Sequence, residues 1–225
     1  MQSVGVDAGE RVLANRSLFG LFIIRRTCST LLAFFVQMRY DGKLGFPGGI
    51  VSDLDIPDDT LEEGLNREMK EEIGLDLTRF AFKKSHYVVS HFCPIANLIL
   101  NFYAQEVSEA DFKDIELAAL KSEEYGHECL GVLRTPLYTM QDGQNGLPAF
   151  FKNQFAGTSL LQLVVGLLTQ KIMSDSELQE NCANVLPKQR AYKRLVDLAI
   201  NSYSSRKSHS SRVAQIVDEF NKKSP

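Results

Sequence analysis

The strongest constraint in this 225-residue sequence is the run from Leu61 to Leu75, where apolar residues recur at helical spacing and carboxylates intrude on them. At roughly 100° per residue, Leu61, Leu65, Met69 and Ile73 form a stripe about 120° wide. On the same wheel Glu68 falls roughly 20° before the stripe begins, Glu72 falls inside it, and Glu71 lies about 80° before it. Solvated glutamates belong on the opposite face, where Arg67 falls. A carboxylate that edges into a buried face must be neutralised, paired or bound to a cation, because desolvating it alone is very costly. Glu68 and Glu72 are four residues apart and stack one above the other, offering hard oxygen ligands of the kind Mg²⁺ prefers. The competing reading is an acidic helix with i,i+4 pairs such as Arg67 with Glu71.

The helix is expected to start near Asp59 or Thr60, each with a glutamate three residues on (Glu62, Glu63) for a capping box, and to end at Gly74. Upstream, dense Leu, Ile, Phe and Val predict strands at 18–24 and 31–38, followed by an Asp41-Gly42 turn and a glycine-rich loop, Gly45 to Gly49. Downstream, strands are expected at about 80–91, 97–107 and 128–135. A helix opens at Ser108 with Phe112, Ile115 and Leu120 inward, and a turn falls at Asp142–Gly146. From Ser159 onward the pattern is helical, broken near Pro187. This order predicts an α/β chain, a mixed sheet with helices on its faces. Residues 1–17 are weakly patterned, 18–172 form the main domain, and 173–225 form a helical, basic extension.

The length suits one well-filled domain. Cys28, Cys93, Cys129 and Cys182 show no C-x-x-C spacing, which disfavours a disulfide framework or structural zinc and suits a reducing compartment. The apolar stretches 18–24 and 31–38 are too short to cross a bilayer, and no clear cleavage site follows them. Neither a membrane partner nor secretion is expected. Charge is uneven: residues 1–185 hold 16 Lys and Arg against 25 Asp and Glu, whereas 186–225 hold 9 against 3. An acidic body fits a metal site, and a basic tail either follows a phosphate backbone or is a solvated surface helix.

From Arg67 to Leu75 the sequence matches the Nudix signature, R-E-U-x-E-E-x-G-U with U aliphatic, at every position. Asp59 stands where the family places its upstream glutamate, in a loop about four residues longer than usual. The stretches Gln37–Gly49, Leu61–Glu68, Val132–Thr139, Gly146–Phe150 and Asn153–Gln162 resemble the snoRNA-decapping Nudix enzymes. The resemblance covers about residues 36–170. It implies the Nudix fold, a mixed sheet sandwiched between helices and carrying the Nudix loop-helix-loop. It further implies Mg²⁺ or Mn²⁺, hydrolysis of capped RNA, of inosine diphosphate and of other nucleoside di- or triphosphates, residence in nucleus, nucleolus and cytoplasm, and a homodimer.

The same resemblance implies site roles. The Gly48 carbonyl, Glu68 and Glu72 would hold metal, Glu71 would add a ligand or polarise the attacking water, and His91 matches a metal-site histidine. Arg39, Phe46 and Gln162 match nucleotide contacts, and each role is chemically sensible: a guanidinium fork on phosphate, a ring on a base, an amide on a base edge. Read without the family, Phe46 is a loop-anchoring core residue and His91 a satisfied strand histidine. The group's N-terminal base-contacting histidine has no counterpart before His86, and about six residues are added between Gly20 and Gln37. A neighbouring syndesmos-like branch keeps the surrounding motifs without the metal glutamates, and Leu186-Pro187-Lys188-Gln189 resembles its tail. Retention of Glu68, Glu71 and Glu72 favours an enzyme over a binding protein, and a Nudix enzyme for another nucleotide, such as ADP-ribose, is a third reading.

Overall fold

The computed structural model describes residues 15–24, 33–51, 61–93 and 98–183. The expectations for residues 1–14, for Asp59 and Thr60, and for the basic tail from Leu186 lie outside the described residues. Among the described residues, seven strands form one mixed sheet: β1 (Asn15–Ile24), β2 (Ala33–Arg39), β3 (Leu44–Gly45), β4 (Ile50–Val51), β5 (Tyr87–Cys93), β6 (Leu98–Val107) and β7 (Cys129–Arg134). Their order is β3-β2-β1-β6-β5, with β4 on β1 and β7 on β2. β1 and β6 run parallel, with Asn15 opposite Leu98 and Ile24 opposite Val107. The other pairings are antiparallel.

Strand alternation divides the core in two, because neighbouring side chains point to opposite faces. Phe35 and Tyr103 face α1 (Leu61–Ile73) and α3 (Glu109–Ala119), whereas Val36, Phe102 and Ala104 face α4 (Leu147–Phe150), α5 (Ser159–Thr169) and α6 (Asp175–Ala183). The sheet is sandwiched between helices, as expected. α6 is tied in by Leu178, which is fully buried in the second of these layers. Each such apolar side chain contributes about 1.5–3 kcal/mol on burial.

α1 buries Leu65, Met69 and Ile73, the stripe read from the sequence. Gly74 ends it in a left-handed conformation (φ 61°), its N–H donating to the Lys70 carbonyl. The helix lies close on the sheet at Gly20, where a Cβ would come within 2.9 Å of the Met69 sulfur.

Two expectations are corrected. The strand placed at 80–91 begins at Tyr87, because Asp76 caps a short helix α2 (Leu77–Phe80), accepting from the Thr78 N–H at 3.0 Å, and a 3-10 turn fills Lys84–His86. In α3, Phe112 and Ile115 are buried as expected, but Leu120 is half exposed and Ala119 takes the third inward position. The helix ends at Ala119, so Leu120 no longer follows its stripe.

Candidate active site

α1 presents its carboxylates where it crosses the glycine loop. Glu72 is 2% exposed. Its Oε2 accepts the Gly48 N–H at 2.7 Å and the Gln37 amide Nε2 at 3.3 Å. Burial pushes its pKa up to about 7, opposed by these two donors and reinforced by Glu68 and Glu128. Ionisable groups perturbed in this way concentrate at functional sites.

Glu68 is half-buried one turn earlier. Burial raises its pKa; Arg67, whose Nη2 lies 3.1 Å from Oε1, opposes this, while Glu71, Glu124 and Glu128 add to it. Glycine at position 49 is required by a close approach: a Cβ there would lie 2.2 Å from Glu68 Oε2. The loop backbone and the Glu68 carboxylate are therefore in direct contact.

Glu71 lies further out and is partly exposed, as its place on the wheel implies. Its carbonyl accepts the Glu124 N–H at 3.2 Å, and the Glu128 carbonyl accepts the Tyr40 N–H at 3.1 Å. These bonds hold the segment between α3 and β7 beside α1, so Glu124 and Glu128 add to the negative field of the site. Neither was singled out from the sequence, and nothing in their spacing marks them.

The carboxylate oxygens of Glu68 and Glu72 are hard donors, the kind that suits a divalent cation such as Mg²⁺ or Mn²⁺. Among the described residues, no three His, Cys, Asp or Glu side chains already converge at ligand distance. The fit to a divalent cation rests on Glu72, a desolvated carboxylate with only neutral donors, and on Glu68 pressed against Gly49. His91 falls in β5 opposite Leu100, and its side chain is not among those described.

The nucleotide candidates lie across the glycine loop. Arg39 extends over Gly45, where a Cβ would come within 2.8 Å of its Cδ and 3.6 Å of Ser159 Oγ. Its Nε lies 3.5 Å from Asp41 Oδ1 and makes no hydrogen bond among the described residues. Gln162, in α5, is fully buried, and neither its amide nitrogen nor its oxygen has a partner among the described residues. Leaving both ends unmade is costly, so the side chain carries unspent hydrogen-bonding capacity. Phe46 is 1% exposed and its ring lies 5.3 Å from that of Phe102. In this position it anchors the loop to the core, and stacking on a base would require the ring or its neighbours to move.

Gln37 joins the site through Glu72, a role that the signature motif does not mark. The available signal was a polar side chain inside an otherwise apolar strand, two residues from Phe35 and so on the α1 face. No helix among the described residues is long and apolar enough to cross a membrane.

Comparison with known proteins shows the family to which the chain belongs. The chain is 39% identical over 158 residues to the U8 snoRNA-decapping enzyme of Mus musculus, covering 70% of this chain and 76% of that protein. It is 45% identical over 136 residues to the enzyme of the same name from Homalodisca vitripennis, covering 60% and 67%. It is also 35% identical over 156 residues to the Tudor-interacting repair regulator protein of Homo sapiens, covering 69% and 71%. The family model described as Nudt16-like, U8 snoRNA-decapping enzyme-like, matches residues 15–173, and the chain belongs to this family of Nudix hydrolases.

Proposed function

We propose that this protein hydrolyses phosphoric anhydrides in capped RNA and in nucleoside di- and triphosphates, inosine diphosphate among them, with Mg²⁺ or Mn²⁺. Glu72 carries the reading: a carboxylate 2% exposed, held by two neutral donors and, among the described residues, by no cationic side chain. Glu68, Glu72 and the Gly48 carbonyl would hold the cation, with Glu71 and His91 as further ligands. Glu71 is the first choice to take the proton of the attacking water, and His91 the second. A bound divalent cation would neutralise phosphate charge and lower the pKa of that water. Arg39 is placed to fork onto a phosphate, and Gln162 has an acceptor and a donor to offer a base edge. A nuclear and nucleolar location, shared with the cytoplasm, and a homodimer belong to the same reading.

The test is Glu72→Gln, assayed on capped RNA and inosine diphosphate with each metal. Turnover is expected to fall about 10³-fold or more with the fold intact. Unchanged turnover would overturn the assignment. The second reading, a binding protein without turnover, is motivated by the identity to the Tudor-interacting repair regulator. It would be preferred if the wild-type protein cleaves none of capped RNA, inosine di- and triphosphate and ADP-ribose. Retention of all three glutamates favours the enzyme.

A further inference from the structure

Gln37 is fully buried in β2, between residues that pack the core on both faces. An apolar side chain would satisfy the packing there without stranding a polar atom. Instead the Nε2 end reaches Glu72, and the Oε1 end is buried with no partner among the described residues. The strand accepts an unmade hydrogen bond at one end of the amide in order to place a donor at the other.

The donor has a specific geometric effect. Gln37 Nε2 and the Gly48 N–H both approach Oε2 of Glu72, at 3.3 and 2.7 Å. One comes from the strand and the other from the glycine loop, so two elements fix one oxygen. No described group donates to Oε1, which remains available as a ligand. The amide is also neutral. A lysine or arginine at this place would hold the carboxylate as firmly, but would neutralise it and compete with a cation.

We propose that Gln37 is a positioning residue of the cation site: with the Gly48 N–H it pins Oε2 of Glu72 and leaves Oε1 directed to the ion. The inference rests on the reading of Glu72 as a cation ligand. Gln37 itself touches neither ion nor substrate in this scheme. Its effect belongs on ion affinity and on turnover at limiting ion, with the nucleotide KM at saturating ion unchanged.

The experiment titrates the metal-free full chain with Mn²⁺ alone, by calorimetry or electron paramagnetic resonance, for wild type, Gln37→Met, Gln37→Asn and Glu72→Gln. Methionine keeps the volume and removes the donor; asparagine keeps the amide and withdraws it by one methylene. Loss of an outer-shell partner lowers metal affinity by about 10–100-fold, and that range is expected for Gln37→Met. Its kcat should fall at sub-saturating Mn²⁺, with nucleotide KM unchanged at saturating Mn²⁺. Wild-type Mn²⁺ affinity in a folded Gln37→Met or Gln37→Asn chain, alongside lost affinity in Glu72→Gln, would overturn the role of Gln37 and leave the hydrolase reading standing. Undiminished Mn²⁺ binding by Glu72→Gln would instead overturn the reading of Glu72. If neither Gln37 variant folds, the residue belongs to the core and the positioning role is lost.

Discussion

Helices α1 and α3 lie on the same face of the sheet, share one buried cluster and open with acidic first turns, yet they treat their charges in opposite ways. In α3 the carboxylates point outward to cations. Arg79 bridges Asp111 at 2.6 Å and Asp114 at 3.0 Å, Lys113 meets Glu109 at 3.2 Å, and Arg134 pairs with Glu116. In α1, Glu72 is taken into the buried face and given two neutral donors. α3 is arranged for solubility and packing. α1 carries a charge that opposes its own folding, and such a cost is tolerated where a site requires it.

The comparison breaks first at Glu72. Glu72→Gln should eliminate metal-dependent turnover, about 10³-fold or more, whereas neutralising any carboxylate of α3 should leave kcat unaltered. Steady-state assays of both sets decide it. Next comes packing: Phe112→Ala, at a fully buried position of α3, should cost about 3–5 kcal/mol in a denaturant titration while sparing Mn²⁺ affinity.

The third prediction concerns pH. The folded pKa of Glu72 is about 7 against an ordinary 4.5, so its ionisation is harder in the folded chain. The metal-free protein should therefore be unburdened below pH 4.5 and lose stability as pH rises through 7, by on the order of 3 kcal/mol. Glu72→Gln should flatten that slope, visible in melting curves from pH 5 to 8. An unchanged slope in the variant would show that another group is responsible.

Gly49→Ala gives a smaller effect. The atoms nearest the new Cβ belong to the carboxylate end of the Glu68 side chain, so the melting temperature should barely move, while displacement of that carboxylate should reduce turnover about 10-fold. Smallest of all is Arg79→Ala. It removes two exposed ion pairs and should change the melting temperature by no more than about 2 °C.

Much of α1 was legible because one periodicity governs it. The wheel put Glu72 inside the apolar stripe and Glu68 at its edge, and the structure buries the first and half-buries the second. The central strands and their mixed pairing were legible from composition and order. What the sequence hid depends on long-range contact. Gly49 reads as loop flexibility, yet its requirement is the carboxylate of Glu68, nineteen positions on. Gln37 lies in an apolar strand, and its partner is on α1, 35 residues away. Leu120 fits the α3 periodicity, but the helix stops one residue short of it. The turn at Leu77–Phe80 was masked by Phe80 and Phe82, which suit a strand equally well and are buried here beside a helix.

The parallel pairing of β1 with β6 has a consequence for how the site comes into being. Asn15 finds Leu98, and the whole of α1 lies in the stretch of chain between them. Closing so long a loop has an entropic cost that must be met before the pairing rewards it. During synthesis α1 leaves the ribosome before β6, the strand that pairs with β1. The sheet beneath Glu68 and Glu72 is complete only after Arg134 of β7 has emerged, so the packed surroundings of these carboxylates form late in the life of each new chain.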